Sequence, residues 1–385
     1  MPHQVVVTTG IGRVSVASPQ SGGAWDQRLV REAGAWPAWR PGHAQLALSA
    51  GGLQPTGELE VVNLQGEGFP SEFRVLAGDA ESAIAPRVPH YASWSPDGGL
   101  LSVVSRAGET LGLTCFESGG GVRGETVTGA PIFSTWTHDS RHLLVHAGPR
   151  LVLLRADSGV VVRTISEAAA GFRAPAVSPS GRLVYAEPRD GALVVVQATL
   201  SSDESSELAR FGSGAVLGFR PGSDDLTVGL ASVQESGALS ELILLDPDGG
   251  QTRLSRGPYV AYSWSPSGSK LALVVPSQSG DGRHYVRLID SAGEELGASE
   301  AFVPSPDFRI WLAFFDQYSQ SHSIWDEAGE YLLVAGRKVE DSVHASLGDA
   351  QGDQVFAWRA LRSQMLEPVA HGQTGFFSRS GSVLP

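Results

Sequence analysis

Trp94-Ser95-Pro96-Asp97-Gly98 decides how the rest of the chain is read. Pro presets φ at the second turn position, Ser and Asp bond their own backbone, and Gly takes the position where positive φ costs little. An aromatic residue precedes the turn and an apolar run follows it at Leu100, Leu101, Val103 and Val104. That combination reads as a β-hairpin with one buried face.

The stretch recurs. Related versions are Trp39-Arg40-Pro41-Gly42-His43, Trp136-Thr137-His138-Asp139-Ser140, Val177-Ser178-Pro179-Ser180-Gly181 and Phe219-Arg220-Pro221-Gly222-Ser223. Three more follow: Trp264-Ser265-Pro266-Ser267-Gly268, Trp325-Asp326-Glu327-Ala328-Gly329 and Phe377-Ser378-Arg379-Ser380-Gly381. The steps between lead residues are 55, 42, 41, 42, 45, 61 and 52. Each unit continues with an apolar second strand, such as Leu143-Leu144-Val145, and a third rich in β-branched residues, such as Leu193-Val194-Val195-Val196. A weaker fourth strand returns to the next motif. Short strands repeating at this period mark the blades of a β-propeller.

The expected fold is therefore all-β, with residues 1–385 forming a single β-propeller domain of eight four-stranded blades. Counting from Phe377 through the C-terminus to Trp39 covers 47 residues, one ordinary step. The N-terminal strands within residues 4–18 are expected to complete the blade begun at 373–385, so that both termini close the last blade. Seven blades is the alternative if those strands do not complete it. Two steps are long, with surplus at Gly66 to Pro86 and at Gly293 to Gln320; a third insert, Glu340 to Asp353, is acidic. Long loops on a rigid scaffold are favoured places for function.

Composition narrows the classes. The formal net charge is −13, and lysine occurs only at Lys270 and Lys338. No nucleic-acid partner is expected, because phosphate contacts need clustered cations. Cys115, the single cysteine, supports no internal disulfide framework or cysteine zinc site. It lies in an apolar strand and is expected to be inert core. No apolar run is long enough for a membrane span. The start shows no basic segment leading into an apolar one, so the expected location is cytoplasmic, with periplasmic as the alternative if a leader has been removed.

Repeats of the form Trp-Ser-Pro-Asp-Gly, an apolar strand, and a closing turn such as Asp246-Pro247-Asp248-Gly249 resemble the TolB-like propeller repeat. That repeat is a relative of the WD repeat and is similar to the propeller of the prolyl-oligopeptidase class. The resemblance spans essentially the whole chain and implies architecture, with a family bias toward protein–protein binding. A prolyl oligopeptidase would also carry a hydrolase domain with Gly-x-Ser-x-Gly, a signature absent from these residues.

No glycine-rich nucleotide loop, zincin motif or calcium loop occurs. His138, His142 and His146 stand four apart, but on a turn and strand that spacing does not converge; they read as surface or strand-edge residues, and no metal or cofactor is expected. The residues a few places before each lead aromatic should gather at the channel, which selects Trp36, His90, Tyr91, Phe133, Arg173, Tyr259 and His322. The aromatic insert adds Asp316 and Tyr318. These nine are the candidate partner- or ligand-binding residues, set against a reading as channel wall. No catalytic residue is assigned; were there catalysis, His322 with Asp316 would be the acid–base pair. The expected function is a non-enzymatic scaffold, a monomer or complex subunit, that binds a protein partner through one face of the ring. The alternative is a small-ligand-binding or hydrolase/lyase-type enzyme with its site at the channel mouth.

Overall fold

Ser95 shows why the repeated turn forms. Its hydroxyl donates to Asp97 Oδ1 at 2.6 Å and accepts from the Leu100 N–H at 3.0 Å, while the Gly98 N–H closes onto the Ser95 carbonyl at 2.8 Å. Gly98 takes φ +69°, and a Cβ there would stand 2.7 Å from the Pro41 carbonyl of the preceding turn. Gly268 repeats this against the Pro221 carbonyl. The glycine thus serves the bend and the close stacking of successive turns.

The computed structural model describes residues 4–10, 12–21, 23–50, 59–64, 72–76, 91–119, 121–233, 237–338 and 352–378. His90 and most of the inserts at Gly66 to Pro86 and Glu340 to Asp353 lie outside them. The described strands form seven antiparallel sheets, six of four strands and one of eight, in a propeller-like all-β architecture. In one sheet Thr374–Phe377 pairs with Val5–Thr8, which continues through Val14–Pro19 to Trp25–Arg31. Strands are buried on both faces where sheets stack: Leu151, Val152, Leu153 and Leu154 are all buried in Arg150–Arg155.

Neighbouring sheets are joined by the lead tryptophans. Three indole N–H groups reach the sheet before them: Trp39 to the Phe376 carbonyl at 3.1 Å, Trp94 to Ala38 at 3.3 Å and Trp136 to Ser93 at 3.0 Å; Trp325 makes the same bond to Ser263, at 3.2 Å, within the eight-stranded sheet. Trp264 donates to Thr227 Oγ1 at 2.8 Å. Cations add a second tie. Arg40 Nε donates to the Gly98 carbonyl, Arg220 Nε to Gly268 and Lys270 Nζ to Gly329, each at 2.7 Å. A Trp39→Phe protein keeps most of the ring packing and loses the bond to Phe376. It is expected to be about 1 kcal/mol less stable by urea denaturation; an unchanged midpoint would remove this bond from the seam.

The eight-stranded sheet arises from an interrupted strand. Phe302–Pro304 pairs with Tyr331–Lys338 and, through Phe302, with His284. The Ser305 N–H still bonds the Ala335 carbonyl, after which residues 306–323 leave the sheet. The strand resumes where the Leu333 N–H bonds the Ile324 carbonyl and Trp325 bridges Leu332. The excursion, read from sequence as an aromatic loop, is instead two short helices, α1 (Pro306–Ala313) and α2 (Phe315–Tyr318). Ser305 caps α1 by accepting from the Phe308 N–H at 3.1 Å, with Pro306 in the first turn.

Two smaller expectations have clear outcomes. His146 is buried, not a surface residue: its ring stacks on Phe172 at 4.4 Å and its Nδ1 bonds the Arg173 carbonyl at 2.8 Å. Cys115 is buried, and burial pushes its thiol up to about 12, which makes it inert.

Candidate functional site

The side chains of the two helices meet strands from several sheets. Gln317 is the most connected. Its Oε1 accepts from the Ser134 N–H at 2.7 Å, and its Nε2 donates to the Ser134 carbonyl at 2.8 Å and to the Tyr91 hydroxyl at 2.5 Å. The Tyr91 hydroxyl donates in turn to the Gln317 carbonyl at 3.0 Å. A primary amide paired with both groups of one strand residue behaves like an added strand.

Asp316 faces Arg173. The guanidinium meets Oδ1 at 2.8 Å and Oδ2 at 3.1 Å, and the Ala174 N–H also donates to Oδ2, at 3.2 Å. Burial raises the Asp316 carboxyl above the usual range, and Arg173 works against that rise. The same guanidinium donates to the Ala313 carbonyl and lies 5.6 Å from the Phe314 ring.

Tyr318 stacks on Trp36 at 4.5 Å and meets Tyr91 edge-on at 5.4 Å. His322 has Nδ1 at 2.6 Å from Ser321 Oγ and Nε2 at 3.4 Å from the Trp36 carbonyl, and its ring meets Phe376 at 4.7 Å. Trp36 has φ +50°, a strained value for a residue with a side chain; its ring contacts with Tyr318 and His322 hold it there.

The structure thus brings together Trp36, Tyr91, Arg173, Asp316, Tyr318 and His322 around the chain's own insert. Phe133 is buried beside His146, and Tyr259 is buried at the end of Gln251–Tyr259; neither belongs to that cluster. Asp316 is engaged by Arg173, and His322 by Ser321 and Trp36, rather than being presented as an exposed acid–base pair.

A cavity of about 870 Å³ is lined on one side by Phe315, Asp316, Ser319 and Gln320 of the insert. Its wall and rim are built from the repeated turns: Trp94, Trp136, Trp264 and Trp325, with Pro96, Pro179 and Pro266 among the prolines. Sequence reasoning looked upstream of the motif and passed over these residues. The signal was the motif itself, since residues that recur at corresponding strand ends come together at this cavity.

Comparison with known proteins fits this geometry. No protein-family model and no curated protein matches the chain. Among solved structures, a eukaryotic initiation factor is similar at 11% identity over 98% of each chain, with a TM-score of 0.58. The C-terminal WD40 domain of Sif2 is similar at 16% identity over 88% of this chain and 85% of that one, with a TM-score of 0.56. These likenesses show a propeller-like fold of the kind found in WD40 domains. Prolyl oligopeptidase B from Galerina marginata also matches, at 12% identity and a TM-score of 0.56, over 88% of this chain and 50% of that one. At these identities the likeness is one of fold. Among the described residues no helix is long and apolar enough to cross a membrane. Nor do they include a group of three His, Cys, Asp or Glu residues placed to hold a metal ion.

Proposed function

We propose that the chain is an eight-bladed ring, its eight-stranded sheet counted as two blades and its seam closed by the pairing of Thr374–Phe377 with Val5–Thr8. It acts as a binding module that takes a segment of a protein partner at the open end of the channel. One observation carries this reading: a cavity of about 870 Å³, lined by the aromatic residues and prolines of the repeated turns, reaches Phe315, Asp316, Ser319 and Gln320 of the insert, which in this reading close the channel behind it. A rigid concave surface with large apolar rings and scattered polar groups is what recognition sites share. In this reading Trp36, Tyr91, Arg173, Asp316, Tyr318 and His322 position the floor, and contact is made by the turns.

A second reading places a small ligand, or an enzyme active site, at the same mouth. It is favoured by the volume of about 870 Å³, within the range of small-molecule pockets. The structural neighbour prolyl oligopeptidase B, bound to a 35mer hydrolysis and macrocyclization substrate, shows a chain of similar fold in an enzyme.

The test is site-specific photo-crosslinking in the native cell, with the probe at exposed Glu327 on the open rim or at exposed Phe314 on the plugged end. A discrete adduct from position 327 that is missing from position 314 is expected. Adducts only from position 314 would move the contact to the other face and sink this reading.

A further inference from the structure

The polar groups of the open cavity are unequally committed. The wall tryptophans have already given their N–H groups to the protein: Trp94 to Ala38, Trp136 to Ser93, Trp264 to Thr227 and Trp325 to Ser263. Arg220, the arginine on the wall, donates to the Gly268 carbonyl, pairs with Asp225 at 3.6 Å and lies 5.7 Å from the Trp264 ring. Arg40 and Lys270, nearby in the turns, are tied to Gly98 and Gly329.

The acceptors are freer. Asp97 and Glu327 are exposed on the rim. The hydroxyl of Ser95 and the N–H of Gly99 hold Asp97 in its anionic form, below the usual carboxylate range despite partial burial. Ser378, 2% exposed, lines the cavity with its Oγ unpartnered among the described residues. The chain as a whole carries a net charge of −13.

Resting on the binding reading above, we infer that the segment received by the cavity is basic: an extended stretch of a protein partner that inserts lysine or arginine side chains between the rim carboxylates and the tryptophan rings. Such side chains add donors to a wall whose tryptophan N–H groups and arginine are already committed. They gain from ring faces beyond those that Arg40 and Arg220 meet at Trp94 and Trp264, and carry charge opposite to the rim. An anionic ligand would instead have to break the ties that already hold the arginines.

The experiment uses three capped decapeptides of one sequence whose variable positions are all Arg, all Gln or all Glu, titrated against the full chain by calorimetry. The Arg peptide is expected to bind at least about tenfold tighter than the Gln peptide and to weaken several-fold between low and high salt. Glu327→Lys, at an exposed position, should weaken it several-fold. Gly218→Phe should abolish it by filling the cavity, since an added Cβ there meets only the Tyr262 hydroxyl, at 3.6 Å. Equal or tighter binding of the Gln or Glu peptide, blocked by Gly218→Phe, would overturn the cationic class while leaving the cavity as the binding site. Arg-peptide binding that ignores both substitutions would be adsorption to an acidic surface, and the inference would fail. If no peptide binds, the inference also fails, and the crosslinking at position 327 then decides the binding reading by itself.

Discussion

An Arg173→Ala protein is expected to be about 3 kcal/mol less stable than the parent at pH 8 and clearly less impaired at pH 5. Removing one member of a buried ion pair leaves the other desolvated and unpaired, which costs roughly 3–5 kcal/mol. The lower end applies because the Arg173 side chain is 30% exposed, although Asp316 is 1% exposed. The pH dependence follows from the direction of the Asp316 shift. Burial raises its carboxyl and Arg173 opposes the rise, so losing Arg173 raises it further. A carboxyl with a raised value binds its proton more tightly in the folded chain than in the unfolded one. The penalty is therefore greatest above the folded-state value and shrinks as pH falls through it toward the ordinary carboxylate range. Urea denaturation at both pH values measures the effect. Equal losses at pH 8 and pH 5 would show that Asp316 carries no strained charge.

Trp311→Ala is expected to cost about 3–5 kcal/mol, the range for deleting a large buried aromatic side chain. Trp311 is fully buried, lies nearly parallel to Phe308 at 5.8 Å, and donates its indole N–H to the His322 carbonyl at 3.3 Å. That bond holds the segment leading back into the interrupted strand, so the damage should extend beyond the cavity left by the ring. His322 would lose its anchor and loosen Trp36 and Tyr318, both in contact with it. Near-ultraviolet circular dichroism should lose aromatic signal below the unfolding transition. A loss under about 1 kcal/mol with an unchanged aromatic spectrum would mean that the insert is not held from α1.

The propeller-like architecture was legible because its signal is local and repeated. Every turn needs the same bend, so Ser, Pro, Asp and Gly recur wherever a hairpin forms. The helices were harder to read, for a reason visible in three residues. Ser305-Pro306-Asp307 repeats the Ser95-Pro96-Asp97 of the opening turn. The fourth residue separates them. Gly98 takes positive φ and turns the chain back, whereas Phe308 has a side chain that disfavours that conformation, and the backbone continues as helix. The spacing of Phe308, Trp311, Leu312 and Phe315 fits one helical face, and all four are buried. Where this insert folds back was not legible, because it depends on contacts with residues more than a hundred positions away. Without residues 306–323, the step from Trp264 to Trp325 would match the other short steps.

Repeat proteins ordinarily draw their stability from each unit and its immediate neighbours, so a weak junction can fray while the rest survives. Here the insert behaves as a keystone. Through Gln317 it holds Tyr91 and Ser134, through Asp316 it holds Arg173, through His322 it touches Trp36, and through Ser305 it reaches the Gln373 carbonyl. Units far apart along the chain thus share one set of contacts. Loss of any of them loosens the keystone, which weakens the grip on all the others, so the array is expected to melt in a single step.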